Sequence, residues 1–406
     1  MRKVLTVTSM LLVSALACNM PSPNASGGSV TASPQLPSVP TALQTLASST
    51  TSSPIQGTAS SSGTMPAPVY LIADDHQIWR IESDATTAKQ ITFEPAPVVS
   101  FDISPIDSSI AYVTNNSLYN VDLIGANRAL LVQGPTPPDP NSNERINTEM
   151  RSVHFSPDGT KIAFGLGGVQ IYDINAGQST MIHASDPYPD INNMPTTTTP
   201  VRFYSPGSFS PDGTYLMILY GNFPEGGGTQ IMKLADATVT DVTVPENTMV
   251  CCDEGWSPNS QSIYFASPTV GYTAMGLWRA DAPNWQATTL IPGETEGGFR
   301  MPSNARALND GNLYYFFSEA HELPNGNQLL AMTRSALDGV TDRAAVRTDT
   351  YATTEVLWDP DAKGAVVRYN PDPNNYSPIG PVVWLPADGS PALSLPKEGL
   401  ALHWGK

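Results

Sequence analysis

A four-residue turn that recurs along the chain limits what it can fold into. Ser156-Pro157-Asp158-Gly159 lies between Val153-His154-Phe155 and Lys161-Ile162-Ala163-Phe164. It returns as Ser210-Pro211-Asp212-Gly213 after Phe209, and more loosely as Ser257-Pro258-Asn259-Ser260 after Trp256. Proline presets φ at the second position of a type I turn, serine is favoured at the first and glycine at the fourth. The flanks are short β-branched and aromatic runs, as strands require. Each copy therefore marks a β-hairpin, and recurrence at a steady period marks a repeat fold.

Taking the residue that leads into each turn as a marker gives Ile103, Phe155, Phe209, Trp256, Ala307 and Trp358, with Trp404 as the last. Ala307 keeps a turn, Asn309-Asp310-Gly311, without an aromatic; Trp358 leads into Asp359-Pro360-Asp361. The stretch before the first marker holds three strands, Val69 to Ile72, Gln77 to Ile81 and Gln90 to Thr92, but no marker strand. Trp404 sits in a strand with no hairpin after it. Together they make one four-stranded sheet and close a ring, so that no blade keeps an open edge. The expectation is an all-β, seven-bladed β-propeller closed by the C-terminal strand joining the first blade. Six blades is the alternative if the Ala307 repeat is degenerate. In the third blade the strands should run near 151–155, 161–166, 169–174 and 179–183, with Gly167-Gly168 as a tight turn.

An aromatic followed by Ser-Pro-Asp-Gly and an apolar strand resembles the PD40 repeats (WD40-like) of TolB-like β-propellers, found also in the propeller domains of prolyl oligopeptidases. The resemblance covers residues 68–406. No Gly-His and Trp-Asp pairs recur as in WD40 proteins, and the adjacent Asp-Gly differs from sialidase Asp boxes. The resemblance implies a fold, and TolB-like relatives imply a scaffold role in envelope protein complexes. Propellers host unrelated functions, so the fold carries no activity by itself.

Three segments follow along the chain. Met1-Arg2-Lys3 and the apolar Val4 to Ala17 read as an export signal, the apolar part being too short for an ordinary membrane span. It ends at Ala15-Leu16-Ala17-Cys18, which resembles a bacterial lipobox with Cys18 as the lipidated residue; such a cysteine anchors the chain to a membrane. Residues 1–18 are thus read as a lipoprotein signal peptide. Residues 19–67 are a Ser/Thr/Pro-rich tether with no charged residue between Pro21 and Pro66, a composition that cannot bury a core. The formal net charge of −17 argues against a nucleic-acid partner, which asks for basic patches. It argues equally against charge-driven binding to anionic lipid.

In a propeller, loops between second and third strands share a face with those running from a fourth strand to the next blade. The long connections concentrate there, while the Ser-Pro-Asp-Gly turns on the opposite face are minimal. Elaboration on one face of a rigid scaffold points to a binding face. Tyr188, Tyr204, Phe223, Tyr272 and Tyr376 lie in or near these loops, and aromatics among Pro and Asn suit protein or carbohydrate contact.

Cys251-Cys252 is an unusual dipeptide. In an oxidising compartment free thiols are rare, and neighbours can form a vicinal disulfide only under strain, because their Cα atoms are about 3.8 Å apart. A ligand platform, a structural disulfide and buried thiols remain alternatives. One position before their markers stand His403, Asp102 and His154, on consecutive inner strands. They form a candidate axial polar cluster, as a structural network or a metal site. Glu254, Arg306 and Glu355 are further candidates to line the channel.

Enzyme signatures are sparse. No Gly-x-Ser-x-Gly elbow is present, and His321-Glu322 lacks the second histidine of a zincin. No cofactor is expected. Calcium has weak candidates in Asp74-Asp75 and Asn370 to Asn375, neither matching a defined loop. The reading is an envelope-anchored, extracytoplasmic binding or scaffold propeller for a protein, peptide or glycan. The alternative is a hydrolase or lyase acting on an extracellular polymer in the central channel.

Overall fold

The computed structural model describes residues 64–136, 145–189, 200–223, 226–245, 254–268, 274–322, 328–374 and 377–405. Those residues form seven antiparallel sheets, six of four strands and one of five. Blade 1 joins Gly399–Trp404 to Val69–Ala73, Ile78–Ile81 and Ala88–Gln90. Blades 2 to 7 follow in chain order, beginning with inner strands Val98–Ile103, Arg151–Phe155, Val201–Phe209, Gly255–Trp256, Gly298–Ala307 and Thr353–Trp358. Blade 6, the Ala307 repeat, is complete and carries the extra strand Glu294–Thr295, which rules out six blades. The ring closes as the repeats require, Val69 pairing with Trp404 and Tyr70 with His403.

Blade 3 has strands Arg151–Phe155, Lys161–Gly165, Gly168–Asp173 and Gln178–Ala184, within two residues of expectation. In blade 1 the outer strand ends at Gln90 rather than continuing to Thr92. Thr92 leaves the ladder because its Oγ1 accepts the Ile78 N–H at 2.8 Å.

The core is a set of seams. Seven apolar clusters each join the facing sheets of neighbouring blades. Tyr70 and Ile72 of blade 1 meet Phe101 and Tyr112 of blade 2. Val382 and Trp384 of blade 7 meet Val69 and Leu71 of blade 1. A middle strand is therefore covered on both faces: Val69–Ala73, Ile110–Thr114 and Val382–Pro386 are buried throughout. Such strands read as unbroken apolar runs instead of alternating.

The recurring turn is held by its own side chains. The Gly159 N–H donates to the Ser156 carbonyl at 2.8 Å, with Gly159 at φ +66°. Buried Ser156 Oγ accepts the Lys161 N–H at 2.9 Å, and Asp158 Oδ1 accepts the Thr160 N–H at 3.0 Å. Ser210 and Asp212 repeat both contacts to Tyr215 and Thr214, each at 2.9 Å. Serine and aspartate are thus read for side-chain acceptors as well as for turn propensity.

Inner strands share a second feature. In blades 1, 2, 3, 4, 6 and 7 the pairing of the inner strand with its neighbour is broken by a register shift. In three blades the residue three before the marker is left-handed: Ser152, Asn304 and Ala401 at φ +54°, +54° and +56°. Such bulges turn backbone groups out of the ladder and re-aim side chains. Those freed groups must find partners elsewhere.

Candidate functional site

The neighbouring blade supplies those partners. Glu355 of blade 7 accepts the Leu402 N–H at 2.6 Å and the Ala401 N–H at 3.0 Å, beside the bulge of the closing strand. Asp102 of blade 2 accepts the Phe155 N–H at 2.6 Å, and Ser100 Oγ the Val153 N–H at 3.1 Å. Tryptophan markers work in the opposite direction. Trp256 Nε1 donates to the Ser208 carbonyl at 3.2 Å, Trp358 Nε1 to Asn304 at 2.7 Å and Trp404 Nε1 to Trp358 at 2.9 Å. Each crosses one seam toward the preceding blade.

His403, Asp102 and His154 are brought together in this network. His403 Nδ1 lies 3.1 Å from Asp102 Oδ1, and its ring meets Phe101 edge-on at 4.7 Å. Burial opposes ionisation of Asp102. The hydrogen bond and charge of His403, with His154 and the Phe155 N–H, outweigh it and hold the carboxyl below the usual carboxylate range. Burial likewise opposes charge on His403, but its Asp102 bond and the charges of Asp102 and Glu355 raise its pKa. His154 goes the other way, lowered chiefly by burial, with the Asp102 charge opposing. One histidine of the cluster is tuned toward the charged form and the other toward the neutral one. Asp102 spends Oδ1 on His403 and on the Ile103 N–H, and Oδ2 on Phe155. A carboxylate so engaged braces the ring. Among the described residues no three His, Cys, Asp or Glu side chains converge as metal ligands.

Glu355 also pairs with Arg368, whose Nε lies 3.3 Å from Glu355 Oε2 and whose side chain is 3% exposed. Glu254 stands apart from that pair, its Oε1 accepting Thr229 Oγ1–H at 2.8 Å. Arg306 lies over Gly255, where a Cβ would fall 2.2 Å from its Nη1, and donates to the Ala305 carbonyl at 2.9 Å. Asp75, one of the calcium candidates, receives Trp79 Nε1 at 3.0 Å and the Gln77 N–H at 3.0 Å.

On the loop-rich face, blade 4 gathers the aromatic candidates in two layers. Tyr188 stacks on Phe203 at 5.7 Å and meets Phe223 edge-on at 5.5 Å. On the other side of the same sheet, Tyr204 lies 4.1 Å from the His183 ring and 6.1 Å from Tyr220. Arg202 sits over Tyr220 at 4.5 Å. Register explains the layering: Tyr204 pairs with Tyr220 and Phe203 with Gly221, so successive residues face opposite seams. Buried His183 Nε2, Asn222 Oδ1 and Gln230 Oε1 have no hydrogen-bond partner among the described residues. Buried polar atoms of that kind are where a bound water or ligand group would be held. Cys18, Cys251, Cys252, Tyr272 and Tyr376 lie outside the described residues.

Sequence reasoning missed Arg368, Arg347 and the Glu94–Arg128 pair. Arg128 Nε lies 2.7 Å from Glu94 Oε1, and Tyr112 Oη–H donates to the same oxygen at 2.6 Å. The available signal was an arginine inside or next to an apolar run, as in Gly364–Tyr369.

The class these features define is the seven-bladed β-propeller with cross-seam polar bracing. No family model and no curated protein matches the sequence. Solved structures are similar to it in fold. Oligogalacturonate lyase from Vibrio parahaemolyticus aligns at TM-score 0.53 and 10% identity, covering 82% of this chain and 86% of that one. A puromycin-hydrolysing peptidase from Mycobacterium tuberculosis aligns at TM-score 0.52 and 14% identity, covering 84% of this chain and 54% of that one. TolB from Acinetobacter baumannii aligns at TM-score 0.42 and 13% identity, covering 80% of this chain and 77% of that one. At such identities the likeness is one of fold alone.

Proposed function

We propose that the chain is an envelope-anchored binding or scaffold propeller, held to a membrane through lipid on Cys18, that presents its loop-rich face to a protein, peptide or glycan. One observation carries the reading: at the loop-rich end of blade 4, half-buried Tyr188 forms a platform seated on buried Phe203 and Phe223, with half-buried Arg202, Tyr204 and Tyr220 on the other side of the sheet. Large rings with an adjacent arginine are the residue types that dominate binding hot spots. The braced seams make the platform rigid, so recognition proceeds with little reorganisation. No helix among the described residues is long and apolar enough to cross a membrane.

The test is affinity capture from detergent-solubilised envelope with the full-length chain as bait. Tyr188→Ala and a version with residues 190–199 shortened serve as comparisons. A partner recovered near one-to-one by the native chain and lost with both variants supports the reading. A partner retained by both places recognition elsewhere. If no protein is recovered and an array of envelope and extracellular glycans also stays blank, the binding reading fails. Cys18→Ser should move the protein from the membrane fraction to the soluble one; continued membrane association would sink the lipid anchor.

A further inference from the structure

The chain that leaves blade 3 is hooked over a strand edge of blade 4. Val201–Phe209, the inner strand of blade 4, pairs with Tyr215–Phe223 on one side only, so its other edge is open toward the ring axis. Residues 183–188 pass over that edge. On the face toward blade 3 the His183 ring lies 4.1 Å from Tyr204. At the edge itself Ser185 Oγ accepts the Tyr204 N–H at 2.9 Å. The Asp186 N–H donates to the Arg202 carbonyl at 2.9 Å, and Asp186 Oδ2 accepts the Arg202 N–H at 2.8 Å. On the opposite face Tyr188 stacks on Phe203 at 5.7 Å and meets Phe223 edge-on at 5.5 Å. Phe203 and Tyr204 are successive residues of a strand, so their side chains stand on opposite faces. The segment therefore starts on one face of the sheet and finishes on the other.

Asp186 is the pivot. It is exposed, yet its N–H, its carbonyl and one carboxylate oxygen are all engaged. The carbonyl accepts Asn147 Nδ2–H at 3.0 Å, from the helical turn Arg145–Thr148 in the preceding connection. The Ser185 N–H adds a bond to the Gly167 carbonyl at 3.0 Å. The Arg202 guanidinium is occupied elsewhere, over Tyr220 at 4.5 Å and 3.5 Å from Asp241 Oδ1. It is thus the Arg202 backbone that Asp186 grips. Backbone groups on an open strand edge need such partners, and here the partner also carries the chain round to the platform.

We propose that Asp186 is the positioning residue of the blade 4 platform: it hooks the chain over the edge of Val201–Phe209 and so holds the Tyr188 ring, just beyond it, where a partner meets it. This rests on the reading of Tyr188 as a contact residue. A loop ring that is free must be ordered when a partner binds, and that ordering weakens binding. A ring fixed beforehand avoids the loss. The grip on the Arg202 N–H asks for an acceptor oxygen and not for a charge. Asparagine at 186 supplies that acceptor and alanine does not.

The experiment is ¹⁹F NMR of the full-length chain in detergent, labelled with 3-fluorotyrosine, with the Tyr188 resonance assigned by its loss in Tyr188→Phe. In the native chain that resonance should be displaced by the neighbouring rings. In Asp186→Ala it should move toward the position of free fluorotyrosine and be broadened more strongly by a soluble paramagnetic agent. Asp186→Asn should keep the native resonance. Asn147→Ala, which removes one bond of the hook from outside it, should shift the resonance in the same direction as Asp186→Ala and by less. All three variants should keep the native circular dichroism and melting midpoint, which separates loss of position from loss of fold. Affinity for the partner recovered by the native chain should fall at least about tenfold in Asp186→Ala and stay within about twofold in Asp186→Asn. A native Tyr188 resonance in Asp186→Ala overturns the proposal and leaves the platform reading untouched. So does loss of the resonance in Asp186→Asn as complete as in Asp186→Ala. A displaced resonance with undiminished partner affinity supports the hook and overturns Tyr188 as a contact residue.

Discussion

Glu355→Gln tests whether the ring is held shut by polar bracing as well as by its apolar seams. The substitution keeps shape and removes charge. Its amide can still accept one of the two N–H groups that Glu355 accepts, from Leu402 at 2.6 Å and Ala401 at 3.0 Å, but turns its own NH₂ against the other. It also takes the carboxylate from Arg368, which is 3% exposed at the side chain. A charge-assisted hydrogen bond contributes about 1.5–3 kcal/mol, and removing one partner of a buried ion pair costs about 3–5 kcal/mol. Glu355 is itself 25% exposed, so water offsets part of that loss, and the two contributions overlap. The expected destabilisation is about 2–4 kcal/mol. It should be read in the urea midpoint and in hydrogen exchange of the closing strand. The Leu402 and Ala401 amides should lose protection first. Glu319→Gln, at an exposed site paired with Arg300 and Arg343, should change stability by less than about 1 kcal/mol. A Glu355→Gln effect no larger than that control, with amide protection intact, would refute the bracing argument.

Three further outcomes follow from the same geometry. His403 has a raised pKa and Asp102 a lowered one. The His403 contribution is therefore complete below the unfolded value of about 6.5 and is lost as pH climbs through the higher folded value. The Asp102 contribution is present above about 3.9 and is lost as pH falls through its lower folded value. His154, with its lowered pKa, opposes this below about 6.5, so the alkaline limb is the readout: closing-strand protection should fall as pH climbs above neutral and His403→Gln should flatten that limb; an unchanged profile would remove His403 from the latch. Trp358→Phe leaves the Asn304 carbonyl without its 2.7 Å donor at a buried site and should cost about 1–3 kcal/mol, read as a fall in melting temperature. Gly255→Ala puts a Cβ 2.3 Å from Arg306 Cδ and should cost about 1–3 kcal/mol. Recovery in Gly255→Ala/Arg306→Ala would confirm the clash as the cause, and persistence of the loss would refute it.

The ring was readable because its signals are local. A proline and a glycine at fixed offsets write the hairpin directly into the chain, and Trp404 without a following hairpin implies a partner at the other end. Even the Ala307 repeat, without its aromatic, kept Asn309-Asp310-Gly311. The axial cluster was partly readable, since His403, Asp102 and His154 share one position relative to their markers. Their partners were not. Asp102 and Glu355 serve backbone N–H groups beside bulges, and left-handed Ser152 and Ala401 carry no glycine to announce it. Arg368 was hidden because its acid lies on a neighbouring strand of the sheet, 13 residues away in sequence.

Pairing of Val69 with Trp404 has a consequence for synthesis. A ribosome releases this chain from the N-terminus onward, and domains commonly fold as they emerge. Blade 1 cannot follow that order, because six other blades lie between its innermost strand and the rest of it in the chain. Until Gly399–Trp404 is made, the edge of Val69–Ala73 stays unpaired. Until that pairing forms, blade 1 keeps a free strand edge, the kind of surface on which chains add to one another. Pairing across six intervening blades is a long-range and therefore slow step, and it is the step that removes this edge.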